Sequence, residues 1–268
     1  MADPSPRSRP WTHRTDPRAA LRTAAVWEIL DARITQRTAE TGRPSLDVVD
    51  VGGGTGGFAV PLAELGHRVT VFDPSPDALA ALQRRAAEAG VADRIVARQA
   101  DAGELVHELG PACADLVLCH GVLEYVEDPG SAVEDAVAVL RPGGLASLLV
   151  AQRLGAVLAR ALSGRFGEAK NLLDSPRGTT GAHDQVQQRF DEESLRALLD
   201  GHPVRVLAVH GVRLVTDLLP GALLDGDPEV ARALLELERR VSDSTCPPAL
   251  TAVASQLHLL AEVTGTSL

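Results

Sequence analysis

Lysine is nearly missing from this chain: of 26 basic residues in 268, only Lys170 is a lysine, and the accompanying wealth of alanine and arginine points to codon bias rather than chemistry. Long apolar runs are missing too. No stretch reaches the roughly 18 residues a membrane span needs, and MADPSPRSRP has no apolar core of a secretory signal. Cysteine is scarce: Cys113, Cys119 and Cys246 have neither C-x-x-C spacing nor a matching histidine pattern, so they cannot all pair and are expected to be small buried hydrophobes. Neither a membrane partner nor a metal is expected, and the reducing cytoplasm is the expected location. Positive charge is also short. A net charge of −10 argues against a surface that attracts nucleic acid throughout. Two local excesses remain: five arginines against Asp3 and Asp16 in residues 1–25, and six basic against three acidic side chains in residues 152–189.

What is present is an ordinary globular composition, 45% hydrophobic and 23% charged, with no linker that would split the chain. Residues 1–17, with four prolines, are expected to form a mobile arm before a single domain over 18–268. The chain is organised around LDVVDVGGGTGGF at 46–58, where an apolar strand enters, five glycines turn the backbone and a helix leaves. Gly52, Gly53 and Gly54 permit positive φ and close approach to a ligand. Gly52, Gly54 and Gly57 fit a dinucleotide pattern, and Gly52, Gly54 and Gly56 fit one found where S-adenosylmethionine (SAM) sits, so the loop alone leaves both open. A second strand, HRVTVFD, ends at Asp73, and a carboxylate there can accept two hydrogen bonds from ribose hydroxyls of either nucleotide.

Further strands are expected at 94–98, 114–119 and 145–151, with helices at 18–40, from the glycine loop to Leu65, at 75–89 and at 129–140, and a turn at Arg141 to Gly144. This alternation predicts an α/β, doubly wound, mostly parallel sheet. Ligands of such sheets lie beyond the carboxyl ends of the strands, where the glycines, Asp73, Asp101 and His120 all fall. Residues 152–188 break the rhythm with spaced glycines, arginines and weak periodicity, and read as a lid or substrate-side insertion after strand five. A helix at 191–199, a strand at 204–215, a helix at 227–241 and a last strand near 257–263 complete the pattern.

The segments VVDVGGGTGGFAVPLAELGHRVTVFDPS, QAD at 99–101, CHGVLEYVEDP at 119–129 and LRPGG at 140–144 together resemble the class I SAM-dependent methyltransferases. LRTAAVW at 21–27, HGVLEYVEDP, GVRLVTDLL at 211–219 and LLELERR at 234–240 are similar to one branch, the bacterial tRNA 5-carboxymethoxyuridine methyltransferases. The resemblance implies a Rossmann-like sheet of seven strands closed by a strand pair, and SAM as cofactor. It implies SAM contacts from Arg22, the Gly52–Gly53 turn, Asp73, Ala100, Asp101 and His120; Asp50 and Gly54 join them as cofactor-binding candidates. Arg22 would grip the methionyl carboxylate, Asp73 the ribose and Asp101 the adenine amino group; a surface-helix arginine and a helix-capping Asp101 are the plain alternatives. The lysine cluster usual in that branch's insertion is replaced here by LLDSPRGTTGAHDQ. The methyl acceptor is therefore left open between a modified tRNA carboxylate and an anionic small molecule, with a non-catalytic SAM-binding protein as a third reading. No Cys-His or Ser-His-Asp arrangement is evident, and Arg213 is the candidate for orienting an anionic acceptor, with a structural ion pair as the equal alternative.

Overall fold

The computed structural model describes residues 17–219, 228–243 and 247–265, excluding the side chains of residues 17–22 and Pro228. The expected arm at 1–17 falls almost wholly outside the described residues, as does Cys246. Seven strands form one sheet: β1 (Asp47–Val51), β2 (Arg68–Phe72), β3 (Ile95–Arg98), β4 (Ala114–His120), β5 (Leu140–Ala151), β6 (Val204–Val212) and β7 (Gln256–Val263). Their order is β3-β2-β1-β4-β5-β7-β6, with β7 antiparallel to both neighbours and the other pairs parallel.

The order reverses between β1 and β4, and the glycine turn leaves from β1 beside that switch. From Val48 to Val51 every residue of β1 is buried, as are the first six of β4, because helices cover both faces. On one face α1 (Pro17–Thr41), α2 (Ala59–Glu64) and α3 (Pro76–Glu88) bury Leu30, Leu62 and Leu82 against Val48, Leu116 and Leu118. On the other, α4 (Leu105–Leu109) and α5 (Pro129–Ala138), joined later in the chain by α8 (Glu192–Ala197), cover Val49, Val117 and Leu148. Helix starts are locally specified. Ser75 accepts from the Ala78 amide ahead of Pro76, and Asp128 accepts from the Gly130 and Ser131 amides ahead of Pro129.

Three expectations need correction. Residues 152–188 are not weakly patterned: they hold α6 (Arg153–Leu162) and α7 (Phe166–Asp174), and α6 is anchored where Gly155 packs so tightly that a Cβ would stand 2.0 Å from the Ala254 carbonyl oxygen. The LRPGG stretch is not simply a turn, since β5 runs through it, Leu140 pairing with Ala114 before a register shift lets Leu145 pair with Leu116. Strand β6 ends at Val212 rather than continuing to 215, because Arg213 adopts a left-handed φ of 62° that breaks the ladder.

The LRPGG segment is structural and sits at the amino ends of the strands. Arg141 Nη1 lies 2.9 Å from both Asp47 Oδ2 and Asp115 Oδ2, and the wholly buried Asp115 is also bound by Arg43. Arg37 donates to the Pro142 carbonyl at 3.0 Å, under the positive-φ Gly143. The remaining α-helices among the described residues are α9 (Pro228–Ser242) and α10 (Pro248–Thr251); no helix among the described residues is long and apolar enough to cross a membrane.

Candidate functional site

At the carboxyl ends of β1 to β4 the glycine turn is folded back on the sheet. The Gly52 amide donates to the Phe72 carbonyl at 2.7 Å, which pulls the turn over the end of β2. Gly52 has φ +64°, and a Cβ there would lie 2.3 Å from Val122 Cγ2. At Gly53 a Cβ would meet Asp50 Oδ2 at 2.6 Å and Val71 Cγ1 at 2.8 Å, so only glycine lets the turn lie this close to the strands beneath it. Asp73 joins turn and sheet: its Oδ2 accepts from the Gly54 amide and its Oδ1 from the Ser75 amide, both at 2.9 Å. A carboxylate has about four lone-pair positions, so two stay available to a ligand.

Beside this turn is a cleft of about 280 Å³, near the lower end of small-molecule sites. Its walls include Gly52, Phe72, Asp73, Ala100, Asp101, Val122 and Tyr125. Gly52, Asp73, Ala100 and Asp101 thus lie together on its walls. The helix-capping alternative for Asp101 does not hold: the residue before α4 is Glu104, and Asp101's exposed side chain borders the cleft. Gly53 and Gly54 form the turn above. Asp50 lies beneath it, buried, with Oδ2 lacking a hydrogen-bond partner among the described residues. Burial, reinforced by the Asp73 charge, pushes the Asp50 carboxyl up to about 7.

His120 stands at the end of β4, immediately before the cleft-lining Gly121 and Val122. Its ring takes the edge of Phe58 at 4.7 Å between centroids, and Phe58 in turn stacks on Trp27 at 4.7 Å. Nε2 of His120 is 2.8 Å from Ser147 Oγ, and burial depresses its pKa to about 3, so the ring is neutral. Arg22 lies in α1, but its side chain is outside the described residues. Arg213 is not on the cleft wall: its guanidinium lies 2.6 Å from Asp217 Oδ1 and 3.2 Å from Gln256 Oε1 at the exit of β6.

Several residues escaped the sequence reading. Tyr125 and Val122 line the cleft from within HGVLEYVEDP, a motif noticed but not resolved into contacts. Glu124, in the same motif, is buried and accepts from the Ala151 amide at 3.2 Å; burial raises its pKa. Glu238 explains why two distant motifs occur together. From LLELERR its carboxylate accepts from the amides of Leu214, Val215 and Thr216 at 3.1, 2.8 and 2.6 Å and from the Thr216 hydroxyl at 2.7 Å, fixing the GVRLVTDLL turn.

Comparisons with known proteins agree with this geometry. A methyltransferase domain family matches residues 49–148, the β1 to β5 half that carries the cleft. The tRNA 5-carboxymethoxyuridine methyltransferase of Escherichia coli K12 is 31% identical over 220 residues, which cover 82% of this chain and 80% of that one. The ubiquinone biosynthesis O-methyltransferase of Caulobacter vibrioides is 35% identical over 167 residues, 62% of each chain. In fold, the magnesium protoporphyrin IX methyltransferase of Synechocystis, solved with bound SAH, superposes with a TM-score of 0.57 at 15% identity, covering 91% of this chain and 86% of that one. The chain belongs to the class I SAM-dependent methyltransferases, close to the tRNA 5-carboxymethoxyuridine branch, and is a SAM-using enzyme. The cleft suits that cofactor: its lining combines apolar Phe72, Ala102, Val122 and Val126 with the carboxylates of Asp73 and Asp101, beside a turn in which a Cβ at Gly52 would strike the cleft-lining Val122.

Proposed function

We propose that the protein transfers the methyl group of SAM to a carboxylate oxygen, the acceptor being the carboxymethoxy group of a modified wobble uridine in tRNA. One observation carries the reading. Similarity to the E. coli tRNA enzyme runs over 220 residues, well beyond the domain match at 49–148, and so takes in segments outside the cofactor half.

In this reading Asp73 offers its remaining lone pairs to the ribose hydroxyls, Asp101 accepts from the adenine amino group beside Ala100, and Arg22 holds the methionyl carboxylate. Gly52, Gly53 and Gly54 let the backbone approach the amino-acid part, with Asp50 below and His120 beside it. Bound SAM supplies an electrophilic methyl group on its sulfonium. A carboxylate acceptor with an ordinary pKa of about 4 is already ionised at neutral pH, so the protein has to orient it and no strong base is needed. Residues 152–188 form the acceptor-side lid of a single domain over 18–268, and Arg213, paired with Asp217 away from the cleft wall, is read as a structural ion pair and not as the orienting cation.

A small anionic acceptor is the second reading, favoured by how the insertion's cations are paired. Arg153 contacts Asp191 at 2.7 Å, Arg160 contacts Glu168 at 2.8 Å, Arg189 contacts Asp184 at 2.6 Å, and Lys170 pairs with Asp174. Such pairing weakens the field a phosphate backbone would meet. The two readings separate in one experiment: incubation with SAM and bulk tRNA followed by nucleoside mass spectrometry, alongside RNA binding across a salt series. For tRNA, a methyl ester of the carboxymethoxy nucleoside appears, and alanine at the exposed Arg165 and Arg177 lowers both RNA affinity and its salt slope. Methylation of a free carboxylic acid that persists at high salt, with none on tRNA, overturns the tRNA reading.

A further inference from the structure

Behind His120 the sheet carries a buried polar chain that the proposed reaction does not use. Ser147 on β5 and His258 on β7 are both fully buried, and Ser147 Oγ lies 2.8 Å from Nε2 of His120 on one side and 2.8 Å from Nε2 of His258 on the other. His210, stacked on His258 at 5.8 Å, donates from Nδ1 to the Ser242 carbonyl at 2.6 Å and takes no part in the chain.

Proton counting gives this chain a direction. The Ser147 hydroxyl has one proton, and the two imidazole nitrogens are its hydrogen-bond neighbours. If both rings donated to it, that proton would be buried with no acceptor, so one ring donates and the other receives. Both rings are neutral, because burial depresses each pKa. The receiving ring therefore carries its own proton on Nδ1. Neither Nδ1 has a partner among the described residues. An orphaned buried N–H is rarer and costlier than an orphaned lone pair. At His258, in the sheet interior, an Nδ1–H would meet no acceptor. His120 instead ends β4 immediately before the cleft-lining Gly121 and Val122, so its Nδ1, closed from solvent in the ligand-free chain, is the one of the two that a bound ligand can approach.

We propose that Ser147 and His258 are positioning residues that act through His120: His258 Nε2–H donates to Ser147, Ser147 O–H donates to His120 Nε2, and the His120 proton is thereby held on Nδ1. His120 then presents a donor to an oxygen acceptor of the bound cofactor and cannot serve as a base toward the methyl acceptor. This rests on the reading of His120 as a cofactor neighbour, and it deepens that reading by favouring acceptors that arrive already ionised.

Two measurements test it: two-bond proton–nitrogen NMR of the histidine rings, which distinguishes the tautomers, and calorimetry with S-adenosylhomocysteine. With S-adenosylhomocysteine bound, wild-type His120 should be in the Nδ1–H form, and Ser147→Ala should convert part of it to the Nε2–H form. Affinity should fall by about tenfold in Ser147→Ala and His258→Leu, but by no more than about threefold in His258→Gln, whose amide can still donate to Ser147. With His120→Ala in place, Ser147→Ala should cost nothing further. If His258→Leu fails to fold, Ser147→Ala and His258→Gln carry the comparison. An Nε2–H tautomer in wild-type His120, or an undiminished loss from Ser147→Ala in the His120→Ala background, overturns the chain. Unchanged affinity in His120→Ala overturns His120 as a cofactor neighbour, and with it the donor role, while the spectra still judge the proton direction separately.

Discussion

Asp50 makes the stability of the ligand-free protein depend on pH in a direction that can be worked out in advance. Its carboxyl is buried under the glycine turn and held at about 7, against 3.8 for an unperturbed aspartate. The folded state therefore binds this proton more tightly than the unfolded state does. The contribution is fully present below about pH 4 and is lost as the pH rises to about 7. The whole span is about 4 kcal/mol, and the part falling between pH 5 and pH 8 is about 2 to 3 kcal/mol. Asp50→Asn keeps the shape and removes the titration. Other buried groups change charge in the same range: burial lowers the pKa of His67, His210 and His258, so their contributions are lost as the pH falls below about 6.5, while Glu124 is raised and behaves like Asp50. These are common to both proteins and cancel in the difference. Urea unfolding at pH 5, 6, 7 and 8 should show Asp50→Asn gaining about 2 to 3 kcal/mol on the wild type across the series. A difference that stays constant with pH would refute the placement of Asp50 as a buried, neutral carboxyl beside a charged Asp73.

Two further outcomes are expected. Asp73→Ala removes the acceptor for the Gly54 and Ser75 amides together with the proposed ribose contact, so S-adenosylhomocysteine should bind about 1.5–3 kcal/mol more weakly by calorimetry, and a folded variant with unchanged affinity would remove Asp73 from the site. Glu238→Ala strands the buried amides of Leu214 and Thr216, the half-buried amide of Val215 and a buried hydroxyl; chemical denaturation should show a loss of about 2–4 kcal/mol, and a loss below about 0.5 kcal/mol would mean that the turn is held by something else.

The parts of the molecule that could be read from the chain are those whose causes are local. Short runs rich in valine and leucine, such as DVVDV and ADLVLC, mark strands covered on both faces, and the glycine turn followed by Asp73 marks the cleft because the turn and the acid belong to successive strands. What was not legible depends on register between distant segments. Nothing near Ser147 in sequence points to His258, 111 positions away; only the antiparallel pairing of β5 with β7 puts them side by side. The same holds for Glu238 and its turn. Helix α6 was missed because its glycine looks like a breaker locally, while in the fold that glycine allows the helix to touch the Ala254 backbone. LRPGG was legible as a motif but not as to purpose, since Arg141 answers to Asp47 and Asp115, 94 and 26 positions away.

The position of β7 has a consequence for how the molecule is made. A ribosome delivers β6 before β7, yet β6 touches the sheet only through β7, which lies between it and β5. Until residues 256–263 have emerged, β5 keeps an open edge and β6 has no strand to pair with. Such long-range pairing is slow to form and leaves unpaired edges exposed meanwhile. The glycine turn, Asp73 and the strands that carry them can assemble from the first 151 residues, whereas the histidine that orients His120 arrives on the final strand. A nascent chain can thus shape its nucleotide cleft early, but the hydrogen-bond chain behind that cleft closes only as the last strand slots into the gap.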